Sequence, residues 1–387
     1  MVDYSRMGVT ESPEWQIVDN TNGQICKSYP GYIVVPYSIS TDNVVDAANH
    51  RAQCRVPALC YLHHSSSAAI VRSSQPKTGL GETVCHSDVA LLDAFRRSGS
   101  FNSAREADRP AKFYVFDARG KLSVMANKTI GKGTEVAGDY KNTEVLFCNI
   151  DNMHVVRNAF ENYCDAMFAP ANSINDGFHG EVASSGWLFH CGKVLKSAVE
   201  VAEKIHFERC SVLVHCSDGW DRTPQIVATA QILLDPHYRT LEGFFTLVEK
   251  EWCAFGHKFK DRWDHAESAD PNQRSPVFVQ WLHIVHSVME QAGDVFEFNE
   301  YLLVFIADHV SSGLFGNFIE NTECIRKQQL DVTSKTQSIW SYILSKREQF
   351  TNAHYRPYDY PIWPSSDSRH ISAWRRYYLR WDVSAHP

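Results

Sequence analysis

The sequence predicts an α/β fold, a central mixed sheet flanked by helices with an enlarged helical C-terminal half, and three observations carry that reading. Short runs of branched and aromatic residues, bounded by polar or Pro/Gly breaks, recur through the first half and read as strands. Later segments change to apolar residues at helical spacing. Around residues 211–234 a strand, a loop and a helix follow one another directly, which is the layout of an anion site.

The strand runs are 32–35, 58–62, 69–72, 113–116 and 145–148, read together as one sheet. Val194, Leu195, Ala198, Val201, Ala202 and Ile205 then share one helical face, as an amphipathic helix covering that sheet requires. A buried strand at 211–214 leads through a loop into a helix that opens near Pro224, runs through Ile226, Ala230 and Leu233, and stops at Asp235-Pro236. Residues 241–345 carry helical patterns and many aromatic residues, and 355–368 form a Pro/Tyr/Ser-rich extended stretch. Residues 97–110, polar and small, are the candidate for a mobile insertion.

Composition narrows the function classes. At 387 residues, with 44% apolar and 21% charged residues, the chain can bury one or two cores and is far from the signature of disorder. No run approaches the roughly 18 apolar residues of a membrane span, and residues 1–12 lack a signal-peptide pattern, so a cytosolic location is expected. Eleven cysteines without a CxxC pair speak against a disulfide framework and against structural zinc. A net charge of −7 speaks against generic attraction to nucleic acid or an anionic bilayer, so an anionic ligand needs a local positive site.

Such a site is written at 211–224, Ser-Val-Leu-Val-His-Cys-Ser-Asp-Gly-Trp-Asp-Arg-Thr-Pro, with five residues between Cys216 and Arg222. A loop of this length entering a helix can turn its N–H groups inward as a phosphate nest, against which Cys216 would sit. The same N–H groups and the Arg222 guanidinium favour a thiolate, the nucleophilic form of cysteine. Arg222 can grip two phosphate oxygens with its fork, and lysine has no such fork. Gly219 supplies positive φ, and the Thr223 hydroxyl can hydrogen-bond the departing sulfur.

Asp218 and Asp221 are the candidates for a general acid and for a base that positions water; Asp221 is preferred as the acid, because two carboxylates beside a phosphate favour one of them holding a proton. Ser217 and Trp220 complete the candidate loop. Two readings stand for Trp220, a guide for a headgroup or membrane surface and a ring packed beneath the loop. His215 supports the thiolate or serves as a structural residue at a strand end.

The run His-Cys-Ser-Asp-Gly-Trp-Asp-Arg-Thr at 215–223 resembles the signature of the myotubularin family of phosphoinositide phosphatases. The resemblance extends through Val-Glu-Lys-Glu-Trp (248–252), Phe-Gly-His (255–257), Arg-Ser-Pro-Val-Phe (274–278) and Phe-Glu-Phe-Asn-Glu (296–300). Upstream it includes Arg-Val-Pro (55–57), Ser-Gln-Pro (74–76), Phe-Asp-Ala-Arg (116–119) and Ala-Asn-Lys (126–128). It implies a fold related to cysteine-dependent tyrosine phosphatases and removal of the 3-phosphate from phosphatidylinositol 3-phosphate and the 3,5-bisphosphate, with neither metal nor cofactor.

By the same resemblance Asn127, Asn152 and Met153 occupy places that contact the inositol phosphate, Met153 standing where isoleucine is usual. Lys258 and Arg262 stand where the family has two arginines for a second phosphate. Lysine keeps the charge and loses the fork, so bisphosphate recognition is either weakened or served by a point charge. The domain reading is a 1–13 extension, a phosphatase-like region at 14–382 and a 383–387 tail, without the family's N-terminal PH-GRAM domain or its C-terminal coiled coil.

The implied ligands are phosphoinositide lipids at a membrane surface, with no nucleic acid. The implied location is cytoplasmic, peripheral on endosomal or other membranes containing phosphatidylinositol 3-phosphate, reached through a partner protein or through homo- or hetero-dimerisation. Two competing functions share these features, a tyrosine or dual-specificity protein phosphatase and a silent phosphoinositide-binding adaptor. Two loop carboxylates disfavour the first, and retention of Cys216, Asp221, Arg222 and Thr223 disfavours the second.

Overall fold

The computed structural model describes residues 1–78, 84–98, 112–121, 124–125, 133–136, 138–168, 178–263 and 270–380. Among them are seven strands: β1 Trp15–Asp19, β2 Tyr32–Pro36, β3 Ala58–Leu62, β4 Ala69–Ser74, β5 Phe113–Asp117, β6 Thr143–Phe147 and β7 Val212–Cys216. β3, β4, β7, β5 and β6 lie side by side in that order as one sheet. β4, β5 and β6 run parallel to the strands beside them on the β7 side, and β3 alone is antiparallel to its neighbour, which makes the sheet mixed.

β7 holds the centre because its residues suit burial on both faces. Every residue of β4, β5 and β7 is buried, as parallel strands covered by helices on either side must be. The strand also runs two residues further than the apolar pattern suggests and ends on Cys216 itself. Register brings Ser74 opposite Cys216, and both Ser73 and Asp117 opposite His215, so three strand ends meet at one edge of the sheet. Ligand crevices in parallel sheets form at this carboxyl edge.

The run at 32–35 does not belong to this sheet. It lies in β2, which pairs antiparallel with β1 in a separate two-stranded ribbon. β1 escaped sequence reading because only two of its five residues are buried, with half-polar Trp-Gln-Ile-Val-Asp giving no continuous apolar run. The connection between the two is tied by Asn20, whose amide donates to the carbonyls of Cys26 and Pro30, both at 2.9 Å.

The expected helix over the sheet spans Trp187–His206, and its six apolar positions named above are all wholly buried. It packs on the helix Arg222–Leu234, which is buried along nearly its whole length, and the helix Val277–Ala292 packs against both. Trp252, Phe278, Trp281 and Phe244 meet there in stacked, edge-on and tilted pairs that form the aromatic core of the helical half. Each such ring pair adds about 0.5–1.5 kcal/mol beyond its burial.

Residues 1–13 pack into the same body: Tyr4 and Val9 are buried, the Tyr4 hydroxyl donates to the Leu59 carbonyl at 2.7 Å, and Asp3 meets Lys250. Residues 355–367 form no helix or strand, as expected, and are pinned by Arg239 donating to the Tyr358 and Tyr360 carbonyls. Residues 97 and 98 close the helix His86–Ser98, and the remainder of the expected insertion lies outside the described residues. No helix among the described residues is long and apolar enough to cross a membrane.

Candidate active site

The sequence Cys216–Thr223 folds back on itself between the end of β7 and the first turn of Arg222–Leu234. Gly219 makes this possible, with φ +77° and so close an approach to β4 that a Cβ would lie 2.3 Å from the Ser73 carbonyl oxygen. Its N–H donates to the Cys216 sulfur at 3.2 Å. No side chain caps the helix that follows, so its first-turn N–H groups remain available to an anion at the loop.

The loop is held from behind by two buried arginines. Arg55 and Arg72 both donate to the Gly219 carbonyl, at 3.0 and 2.8 Å. Arg72 is paired with Glu251 at 2.7 Å. Among the described residues Arg55 makes hydroxyl, carbonyl and ring contacts only, to Ser28, Phe255 and the faces of Tyr29 and Trp220. These arginines fix the Gly219 carbonyl behind the loop while the Gly219 N–H meets the sulfur.

Cys216 is 3% exposed. Burial alone would push its thiol up, but the Arg222 guanidinium, followed by the Thr223 hydroxyl, outweighs burial and the opposing charges of Asp221 and Asp218, and holds the thiol below its ordinary range. Arg222 reaches across the loop, donating to the Ile150 carbonyl at 3.2 Å and to the Ser217 hydroxyl at 3.3 Å. Both partners are neutral, so its full charge is left to an entering phosphate. The buried Thr223 hydroxyl has no other partner of good geometry.

Asp221, preferred above as the general acid, is placed differently. Arg262 forks onto its carboxylate at 3.1 and 2.8 Å, and His257 lies 3.3 Å away while donating to the Trp220 carbonyl at 2.8 Å. Against the cost of burial, Arg262 first and then His257 hold this carboxyl far below the usual range. A general acid must carry its proton when the leaving oxygen departs, and the pairing with Arg262 and His257 favours the ionised form of Asp221 until substrate draws Arg262 away. Asp218 is the other carboxyl of the loop, half-buried between Ser217 and Gly219.

Lys258 lies over the Trp220 ring at 4.7 Å and 3.5 Å from Asp261. Trp220 is half-buried at the site's margin, with both Lys258 and Arg55 over its ring. Asn152 caps the helix Met153–Met167, accepting from the N–H groups of His154 and Val155 at 3.0 and 3.1 Å, and so its side-chain oxygen is committed to the helix. The Met153 carbonyl accepts from Ser275 at 2.9 Å. Both residues follow Ile150, which Arg222 touches, but no direct bond joins either of them to the loop. Asn127 lies outside the described residues.

The structure therefore gathers Cys216, Ser217, Asp218, Gly219, Asp221, Arg222, Thr223 and Arg262, with Trp220 and Lys258 at the rim. Sequence reasoning gave no role to Arg55, Arg72 and His257, although Arg-Val-Pro at 55–57 and Phe-Gly-His at 255–257 stood out as family-like segments. Among the described residues no cluster of three or more His, Cys, Asp or Glu is placed to hold a metal ion.

Comparison with known proteins gives this geometry a context. The family model described as the myotubularin-like phosphatase domain matches residues 1–327. A Gallus gallus protein named phosphatidylinositol-3,5-bisphosphate 3-phosphatase is 39% identical over 100% of this chain and 60% of its own length. A Mus musculus protein named phosphatidylinositol-3,5-bisphosphate 3-phosphatase is 38% identical over 100% of this chain and 61% of its own. Xenopus tropicalis myotubularin is 37% identical over 99% and 62%, respectively. The chain spans about three fifths of the length of these relatives.

Proposed function

Because the chain belongs to the family of myotubularin-like phosphatase domains, we propose that it is a phosphoinositide 3-phosphatase of the cysteine-dependent type, acting on phosphatidylinositol 3-phosphate and on the 3,5-bisphosphate. The observation that carries the reading is the loop itself: a buried cysteine held toward thiolate, with Arg222 and Thr223 facing it and, among the described residues, no carboxylate pairing Arg222. The names of the relatives support the substrate class.

The reaction runs in two displacements. The Cys216 sulfur attacks the phosphorus of the 3-phosphate, the bond to the inositol oxygen breaks, and that oxygen takes a proton from a loop carboxyl. Asp221 is the preferred donor and Asp218 the alternative; Asp221 can hold the proton once Arg262 turns from it to the substrate. Arg222 and the loop N–H groups hold the equatorial oxygens as charge spreads over them. Water then attacks the phosphocysteine, giving a proton back to the same loop carboxylate; the P–S bond breaks, phosphate leaves, and Thr223 stabilises the returning thiolate.

Lys258 and Arg262 receive the second phosphate, for which Arg262 must share or leave Asp221. The lipid substrate places the protein at cytoplasmic faces of membranes that contain phosphatidylinositol 3-phosphate, recruited by a partner or by dimerisation.

The test is phosphate release from diacyl phosphatidylinositol 3-phosphate, beside the 4-phosphate isomer, the 3,5-bisphosphate and a phosphotyrosine peptide, with Cys216→Ser as control. Release confined to 3-phosphorylated lipids and lost in the variant supports the reading. A peptide preference makes the protein a protein phosphatase, and no release from a folded chain that binds the lipids makes it an adaptor.

A further inference from the structure

Behind the nucleophile lies a set of charges that the proposed reaction does not touch. His215 is wholly buried, with Nδ1 3.1 Å from the Cys216 carbonyl oxygen and Nε2 2.9 Å from a Glu135 carboxylate oxygen. A carbonyl only accepts hydrogen bonds. Glu135 also only accepts, because its other oxygen is paired with Arg51 at 2.6 Å, and Arg51 in turn forks onto Asp88 at 2.8 and 2.6 Å. A neutral imidazole has one N–H to give, and this site requires two.

Charge balance leads to the same state. Around His215 stand Glu135, Asp117 at 3.9 Å, and Arg119 paired with Asp117 at 2.7 Å, with Arg51 and Asp88 behind Glu135. Each of these side chains is at most 1% exposed. With His215 protonated, three cations meet three anions. With His215 neutral, one negative charge is left uncompensated in a place that water does not reach, which is strongly unfavourable.

We propose that Glu135 is a positioning residue for the nucleophile: it keeps His215 as an imidazolium whose Nδ1–H grips the Cys216 carbonyl, orienting that peptide and placing a permanent positive charge behind the sulfur. Burial opposes the charged form of His215, and Glu135 followed by Asp117 overcomes it against Arg119, so the ring titrates above its ordinary range. Glu135 sits far from Cys216 in sequence, on a segment the motif does not include. The charge on His215 follows from these contacts alone, whereas its effect on turnover rests on Cys216 being the nucleophile proposed above.

The test uses the full chain without substrate, so its outcome is separate from whether any lipid is hydrolysed. In the wild type, 15N NMR of the ring, assigned with a His215→Gln variant, is expected to show both His215 nitrogens protonated at pH 7.5. Alkylation of Cys216 by iodoacetamide, followed by mass across pH, is expected to shift its midpoint up by about one unit in Glu135→Gln, with Glu135→Asp between the two. A neutral His215 ring in the wild type overturns the inference even if the variants fail to fold. A folded Glu135→Gln with an unmoved alkylation midpoint overturns it equally.

Discussion

Replacing Gly219 by alanine tests whether the loop's shape is set by its close approach to β4. The added Cβ would lie 2.3 Å from the Ser73 carbonyl oxygen, 2.9 Å from its carbon and 3.3 Å from the Ser74 nitrogen. The first contact is roughly an ångström short of ordinary separation. Neither side yields readily. Ser73 lies in β4 between two neighbouring strands, the Ser74 N–H donates to the Arg55 carbonyl at 3.1 Å, and the Gly219 carbonyl is clasped by Arg55 and Arg72.

Positive φ for alanine costs about 1 kcal/mol, and overpacking against backbone adds about 1–3 kcal/mol, so a loss of about 2–4 kcal/mol is expected. Relief by moving the loop an ångström misplaces sulfur and arginine together, and turnover should fall about 100-fold. Gly313 is the control, with φ +67° and nothing within 4 Å of its Cβ, so Gly313→Ala carries the backbone cost alone. Urea unfolding and phosphate release from lipid vesicles read the two effects. Near-wild-type turnover and stability in Gly219→Ala would refute the argument that close approach shapes the loop.

Cys216 should alkylate with a midpoint below the ~8.5 of a free thiol, reactive above that midpoint and inert below it, and Arg222→Ala should move the midpoint upward. Arg222→Lys, retaining charge without the fork, is expected to lower kcat by about 100-fold while the chain stays folded, as circular dichroism would verify. Arg262→Ala should raise KM about tenfold for the 3,5-bisphosphate and much less for the monophosphate; equal effects on both would remove Arg262 from the second-phosphate site.

Asp3 gives a pH signature of stability: against burial, Lys250 first and Arg6 after it draw its carboxyl down to about 2. A depressed carboxyl stabilises the fold above its unfolded value of about 4, and that contribution, about 2–3 kcal/mol, disappears as pH falls from there through the folded value. Asp3→Asn should therefore flatten the urea midpoint between about pH 4 and 2 and lower it at neutrality.

The strand, loop and helix around Cys216 were legible because three local signals agree there: an apolar run, a glycine at a turn, and a helix start that Asp235-Pro236 closes. The ribbon β1–β2 was not, because edge strands with half-polar faces carry little periodicity and their partner is chosen by the tertiary packing. The pairing of Asp221 was not legible for a related reason. Sequence places two carboxylates in one loop, but which of them stays ionised depends on Arg262, forty-one positions further along the chain. Arg55, Arg72 and Glu135 act on the loop through contacts 80 or more residues distant in the chain, to which no spacing rule points.

Arg55 has a consequence for folding itself. It is 0% exposed, its Nε finds no partner, and no carboxylate among the described residues pairs with it, so the fold buries this cation on neutral partners. An anion in the loop supplies a counter-ion. Occupancy should then stabilise the whole domain by mass action, about 2.7 kcal/mol at a hundredfold excess over Kd, and inorganic phosphate or vanadate should raise Tm where chloride at equal ionic strength does not. With Arg55→Met the empty protein should melt at a temperature nearer that of the phosphate-loaded wild type, and phosphate should shift it less.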